Sequence, residues 1–333
     1  MHLFRMCAWF GLGLCVVALG LWGALVIWFT LPLATWLLAV LGGGYVIVGL
    51  LCLYGGYRAG RPIRGLLPFA LLTGVVAVWW SQIQARNDRD WLADVAQLPS
   101  VEVEGSQILL RNVRNFDYSS ETDFVPRWED WSLELDQLQS LDLIAVYWMG
   151  DTIAHTILSF GFGERQVAIS IEIRKEKGEG FSTIAGFFRR YELYYVVGDE
   201  RDLIGVRANH RDPREDVYLY RVQAPKVKIR ELFLEYAKKI NRLREVPEFY
   251  NTLTTNCTTN IATHAWALGG DLPVSWKILA SGYFPELVYQ HGALDQSLPF
   301  EELKRRSLVN DRAQTAEREG DFSKHIRAGL PGM

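Results

Sequence analysis

The sequence predicts three membrane-spanning helices followed by one soluble α+β domain with a mostly antiparallel sheet. Three observations predict it. The first 84 residues contain three long apolar runs. From residue 101 onward, short stretches alternate or run apolar at strand length. Two later segments carry apolar residues at helical spacing, and strands followed by helices define the class.

Cys7 to Phe29 and Leu31 to Tyr54 each exceed the roughly 20 residues that cross a bilayer core. Gly65 to Ile83 is shorter, but Trp79 and Trp80 stand where an interfacial aromatic belt would end it. The Leu31-Pro32 step disfavours helix at Leu31, so the first two runs form a tight hairpin over about 7–29 and 32–54, with the third at 65–83. A cleavable signal peptide is the competing reading of the first run. That run is long for one, lacks a small-x-small exit and is followed by a second span.

Charge is spread unevenly. Residues 1–84 hold Arg5, Arg58, Arg61 and Arg64, with no Lys, Asp or Glu, which leaves 31 basic against 38 acidic residues beyond them. An acidic soluble part argues against nucleic acid, which needs a basic footprint. The short second loop is crowded with Arg58, Arg61 and Arg64, whereas the first is uncharged. The positive-inside rule then places the N-terminus and second loop in the cytoplasm. Three crossings of the cytoplasmic (inner) membrane carry the remainder to the periplasm or cell exterior. The expected boundaries are a membrane anchor over 1–84, a polar and helical linker over 85–104, a domain over 105–300 and a loosely ordered polar tail over 301–333.

Within the domain, Val101–Val113, Leu141–Trp148, Ile153–Phe160, Gln166–Arg174, Glu192–Val197 and Val217–Val222 read as strands. Gly161 to Glu164 separates the third and fourth as a turn. Ile229–Leu243 repeats apolar residues at helical spacing, and Asn256–Leu268 is a second helix closed by Gly269-Gly270.

Chemistry concentrates at Cys257. Cys7, Cys15 and Cys52 lie in the spans, so Cys257 is the one cysteine of the soluble domain and has no partner for a disulfide there. An unpaired thiol in an oxidising compartment is a candidate nucleophile. Thr255 and Asn256 are capping residue types that put it at a helix N-terminus, where free N–H groups and the dipole favour a thiolate. The bland alternative is a buried structural cysteine.

A thiol at neutral pH needs a base. His264 lies seven residues along the same helix, about 10 Å away by rise, too far for a hydrogen bond. His210, His291 and His325 fall in polar loops or the tail. His155 instead interrupts an apolar strand, where a lone histidine is ordinarily packed but where a thiol would find its partner. If Gly163 and Glu164 form a two-residue hairpin loop, Phe162 faces Arg165 and His155 faces Glu172 on the same side of the sheet. A carboxylate there would orient the imidazole. Ser170 is the alternative on that face, and a one-residue slip would remove Glu172 from it.

The stretch from Thr254 to Asn260 (TTNCTTN) resembles the cysteine motif of the Lnb N-terminal periplasmic domain family. So do Ile153–Gly161, Ala168–Gly178 and Tyr195–Ile204, in the same order over roughly residues 105–290. The resemblance implies a lipoprotein transacylase activity, which moves an acyl chain from a lipid-modified cysteine onto that cysteine's own α-amine. More distantly the chain resembles the NlpC-type group, and the order His, Glu, Cys is what a circularly permuted papain-like fold produces. In that transacylase the membrane helices follow the catalytic domain, whereas here three precede it.

The expected function is thus a thiol-dependent acyltransferase acting on lipid or lipoprotein esters, with membrane lipid and a lipoprotein as partners. Cys257 would be the nucleophile, His155 the base and Glu172 its orienting carboxylate. Asn256 and the Cys257 N–H would serve the oxyanion. Arg174 and Arg201 are candidates for an anionic head group or for ordinary salt bridges. The alternative is a cell-envelope cysteine peptidase or amidase using the same residues. No cluster has metal-ligand spacing and no Gly-rich phosphate loop occurs, so neither metal nor cofactor is expected.

Overall fold

The computed structural model describes residues 2–333, with side chains from Met6 onward. The side chain of Arg5, used above for orientation, lies outside the described residues. The chain divides into two units, residues 1–85 with 182–190, and residues 86–181 with 191–333.

In the first unit α1 (His2–Thr30), α2 (Thr35–Ala59) and α3 (Pro62–Ser81) are apolar and long enough to cross a membrane. Helix α1 stops at Thr30, one residue before the Leu31-Pro32 step, as the proline rule requires. Small residues let α2 and α3 approach. A Cβ on Gly65 would sit 2.3 Å from the Gly56 Cα, so only glycine fits. Tyr45 Oη and Thr73 Oγ1, 2.7 Å apart, satisfy each other within the apolar bundle.

The second unit is built on ten strands: β1 (Ser100–Glu104), β2 (Gln107–Arg114), β3 (Asp117–Tyr118), β4 (Phe124–Val125), β5 (Trp128–Glu134), β6 (Leu138–Tyr147), β7 (Ala154–Phe162), β8 (Arg165–Arg174), β9 (Glu192–Gly198) and β10 (Asp216–Arg221). Its helices are α4 (Glu200–Leu203), α5 (Lys226–Glu245), α6 (Cys257–Ala267), α7 (Phe284–Gln290), α8 (Phe300–Arg306), α9 (Asn310–Glu319) and α10 (Phe322–Arg327). The main sheet runs β1-β2-β9-β8-β7-β6-β10, with β5 also on β2, while β3 pairs β4. Every pairing is antiparallel except β2 with β9, so the α+β class stands.

The expected single run Val101–Val113 is a hairpin, β1 and β2, turning at Gly105 in the left-handed region (φ 64°). On one face of the sheet Leu158, Phe160 and Phe162 meet Phe233, Tyr236 and Ile240 of α5. Each such side chain contributes roughly 1.5–3 kcal/mol by leaving water.

The opposite face corrects two expectations. Residues 86–104 are not a helical linker. Trp91 and Val95 are buried in the second core with Ile157, Tyr194 and Val196. Nor is 301–333 a loose tail, because Val309, Ala313, Ala316, Phe322, Ile326 and Leu330 close that core. The apolar residues there are diluted by charge, and the charges are themselves used. Arg327 reaches Asp142 at 2.8 Å and Glu200 at 2.5 Å, both carboxylates fully buried.

Candidate active site

Strands β7 and β8 pair from Phe162↔Arg165 to Ile157↔Ser170, the register expected from a Gly163-Glu164 loop, with Gly163 at φ 60°. Beyond Ile157 the two strands splay. Thr156, the next residue, gives its backbone N–H to the Cys257 sulfur instead of to β8. The site occupies the opening where the ladder stops.

Cys257 is placed by the loop that leads into α6. The Asn251 side chain accepts the Leu253 and Thr254 N–H groups and tightens that loop. Asn256 caps the helix, its Oδ1 accepting the Thr259 N–H at 2.8 Å. Its Nδ2 donates to the Thr252 carbonyl, so this amide, the candidate for the oxyanion, also holds the capping loop together. Thr258 Oγ1 ties the same turn to the Ile278 carbonyl. His155 is held by a parallel device. Ser281 Oγ accepts the neighbouring Ala154 N–H, and Gly282 lies so close that a Cβ would meet the Asp151 carbonyl at 2.0 Å.

Cys257 and His155 share a side-chain hydrogen bond. His155 Nε2 lies 2.6 Å from Ser170 Oγ, which donates to Glu172 Oε1 at 2.7 Å. With the Ser170 hydrogen committed to Glu172, its oxygen can only accept, so Nε2 carries a hydrogen and Nδ1 is left as the nitrogen for the thiol. Glu172 Oε1 stands 3.6 Å from Nε2, beyond hydrogen-bond reach, and Ser170 bridges the gap.

Electrostatics move both groups toward their charged forms. Burial pushes the Cys257 thiol up, but the hydrogen bond and charge of His155 and the N–H groups of Thr156 and Thr258 outweigh it and lower its pKa. Burial and the Arg207 guanidinium oppose a charged His155, yet its contacts with Cys257 and Glu172 leave the pKa raised. For Glu172 burial is again the largest opposing effect, and His155, Arg207 and Arg114 hold the carboxyl well below its usual range.

Arg207 is the residue the sequence did not announce. It sits on a π-helical turn, Val206–His210, after α4, and its Nη2 donates to Glu172 Oε1 at 2.9 Å. Arg174 and Arg201, candidates for a head group or for ordinary salt bridges, are both engaged within the protein. Arg174 is buried against Trp91 and donates to the Val95 and Ala96 carbonyls. Arg201 pairs with Asp117 at 2.6 Å and Asn115 at 2.7 Å. The other histidines are also occupied. His264 meets Tyr195 Oη at 2.9 Å, and burial lowers its pKa to about 4.

A cavity of about 260 Å³ opens beside the imidazole. Trp148, Ile171, Ile173, Phe181 and Tyr250 make much of its wall apolar, and Lys175, Arg207 and Arg211 supply cations. Thr156 Oγ1 is buried with no hydrogen-bond partner.

No curated protein and no solved structure matches the chain. The family model described as the Lnb N-terminal periplasmic domain matches residues 124–282, a span that includes His155, Ser170, Glu172, Arg207 and Cys257. That stretch of the chain belongs to the Lnb N-terminal periplasmic domain family.

Proposed function

We propose that this membrane-anchored protein is a periplasmic acyltransferase that carries an acyl group on Cys257 as a thioester. The observation that carries the reading is the Cys257–His155 pair with Nε2 turned to Ser170 and Glu172. The thiolate attacks an ester carbonyl, forming the C–S bond. As the C–O bond breaks, the His155 imidazolium returns its proton to the departing alkoxide. An amine then attacks the thioester, His155 takes the amine proton, and the thiolate leaves. The Cys257 N–H, at the first turn of α6, is a donor for the developing oxyanion.

The apolar cavity wall supports an acyl chain over a polar peptide as the group transferred. Three candidate spans support a lipid donor, since a tether raises the effective concentration of a substrate in the same membrane. The reading takes a lipid ester as donor and a lipoprotein amine as acceptor.

The test uses full-length protein in lipid vesicles. A lipid ester should leave a fatty-acyl mass on Cys257, removable by hydroxylamine, and a lipoprotein peptide with a free α-amine should clear it as an N-acylated product. Cleavage of peptidoglycan stem peptides without any acyl mass would establish the hydrolase reading instead.

A further inference from the structure

We infer that residues 182–190, which interrupt the soluble domain in sequence, are an interfacial membrane segment that rests Ile184 and Phe187 among lipid acyl chains. The segment belongs to the same structural unit as the three spans. Within that unit its place is fixed by two arginines and a ring. Arg189 donates to the carbonyls of Trp80, Ser81 and Ile83, at and just past the last turn of α3. A cation there complements the negative end of the helix dipole and adds to the Ile83 N–H that the Trp80 carbonyl already accepts. Its guanidinium also lies 4.7 Å from the Trp80 ring centre.

Arg190 donates to the Phe29 carbonyl at the end of α1, and Phe188 stacks on the Phe29 ring at 5.6 Å. The fold accepts an unusual backbone to make this clamp, with Arg189 in the left-handed region at φ 54°. Both helix ends held by the segment are the ends opposite the Arg58–Arg64 loop, since α1 and α3 each run from that side of the bundle.

Beside the exposed Thr183, the clamp leaves two apolar side chains outward. Ile184 is 55% exposed and Phe187 39% exposed. At the end of a span the surroundings are the headgroup–acyl boundary, where Trp and Arg settle and where an exposed Ile or Phe gains by burial in lipid. Lipid is therefore the occupant. Phe181, the residue before the segment, lines the cavity at His155. The proposal stands on the segment's own contacts and holds whether or not the thiol chemistry does.

The test places one reporter at a time in the full chain. Cys7, Cys15 and Cys52 are changed to Ser and Cys257 to Ala, and Ile184→Cys or Phe187→Cys is labelled with NBD in phosphatidylcholine vesicles. Emission should shift to the blue, nitroxides attached at shallow depth in the lipid should quench it, and aqueous iodide should lose most of its effect. Iodide quenching as complete as that of free NBD-cysteine would overturn the proposal. Adding Arg189→Gln should restore iodide access at both positions. Unchanged shielding would remove the role given to the clamp.

Discussion

Ser170 Oγ stands 2.6 Å from His155 Nε2, and through that one hydroxyl the half-buried carboxylate of Glu172 acts on the imidazole. The hydroxyl is fully buried, so no solvent competes for it. Removing it should uncouple the base from its orienting charge while leaving the thiol in place. Ser170→Ala is expected to slow thioester formation roughly tenfold, the value of one oriented hydrogen bond of about 1.4 kcal/mol. Ser170→Thr should recover part of the loss. A rate equal to that of the unaltered protein would show that Glu172 does not act through Ser170.

Alkylation of Cys257 should report the lowered thiol pKa directly. A lowered thiol pKa and a raised imidazole pKa mean that the thiolate forms below the ordinary thiol value of about 8.5. Iodoacetamide should therefore label Cys257 at neutral pH, with a rate that climbs as pH rises through the lowered thiol pKa. Acyl transfer should show a bell, because its descending limb follows loss of the imidazolium proton through the raised His155 pKa. His155→Ala should move alkylation to alkaline pH. Labelling that stays unchanged in this variant would break the assignment.

Arg207 contacts Glu172 at 2.9 Å and Glu215 at 3.6 Å, and all three side chains are largely shielded from solvent. Arg207→Met takes the guanidinium from Glu172 and leaves Glu215 only the 3.9 Å contact with Arg211, and should cost about 3 kcal/mol of stability. Urea unfolding measures that loss. In the same variant His155 loses a cation that opposes its charge, so the descending limb of the rate profile should move upward in pH. A descending limb at its original position would mean that Arg207 has only a structural part.

His264 makes a stability prediction with a fixed sign. Its folded pKa is about 4 against an ordinary 6.5, because burial disfavours the charged ring. Between those values the unfolded chain binds a proton that the folded one does not, so stability rises with pH across that window and is flat above it. The full effect is about 3 kcal/mol. His264→Gln should lose that much less stability than the unaltered protein between pH 7.5 and pH 4, measured by urea unfolding. Identical losses would place the ring in solvent.

Membrane orientation is testable by fusion. A reporter active only outside the cytoplasm should work after Arg86, and one active only inside should work at Gly60, in the loop carrying Arg58, Arg61 and Arg64. The opposite pattern would invert the three-span topology.

The sequence alone determined the parts whose cause is local. Three apolar runs must be helices in a bilayer, because no other unpaired backbone is tolerated there. The Gly163-Glu164 loop set the register of β7 on β8, since a two-residue turn leaves no freedom and a strand alternates its faces every residue. Asn256 before Cys257 put the thiol at a helix start, because capping involves only neighbours in the chain. Tertiary structure decided what depends on elements brought together from afar. Whether Glu172 touched His155 directly or through Ser170 rested on where the β7–β8 ladder stops, at Ile157 and Ser170. Among the arginines, charge alone did not distinguish Arg174, Arg201 and Arg207, and only the packing of Arg174 under Trp91 and the π-helical turn at Arg207 separated them. The C-terminal segment read as a polar tail because its apolar residues are sparse. It is ordered because those few apolar residues close the second core and Arg327 pairs with Asp142 and Glu200, more than a hundred residues away.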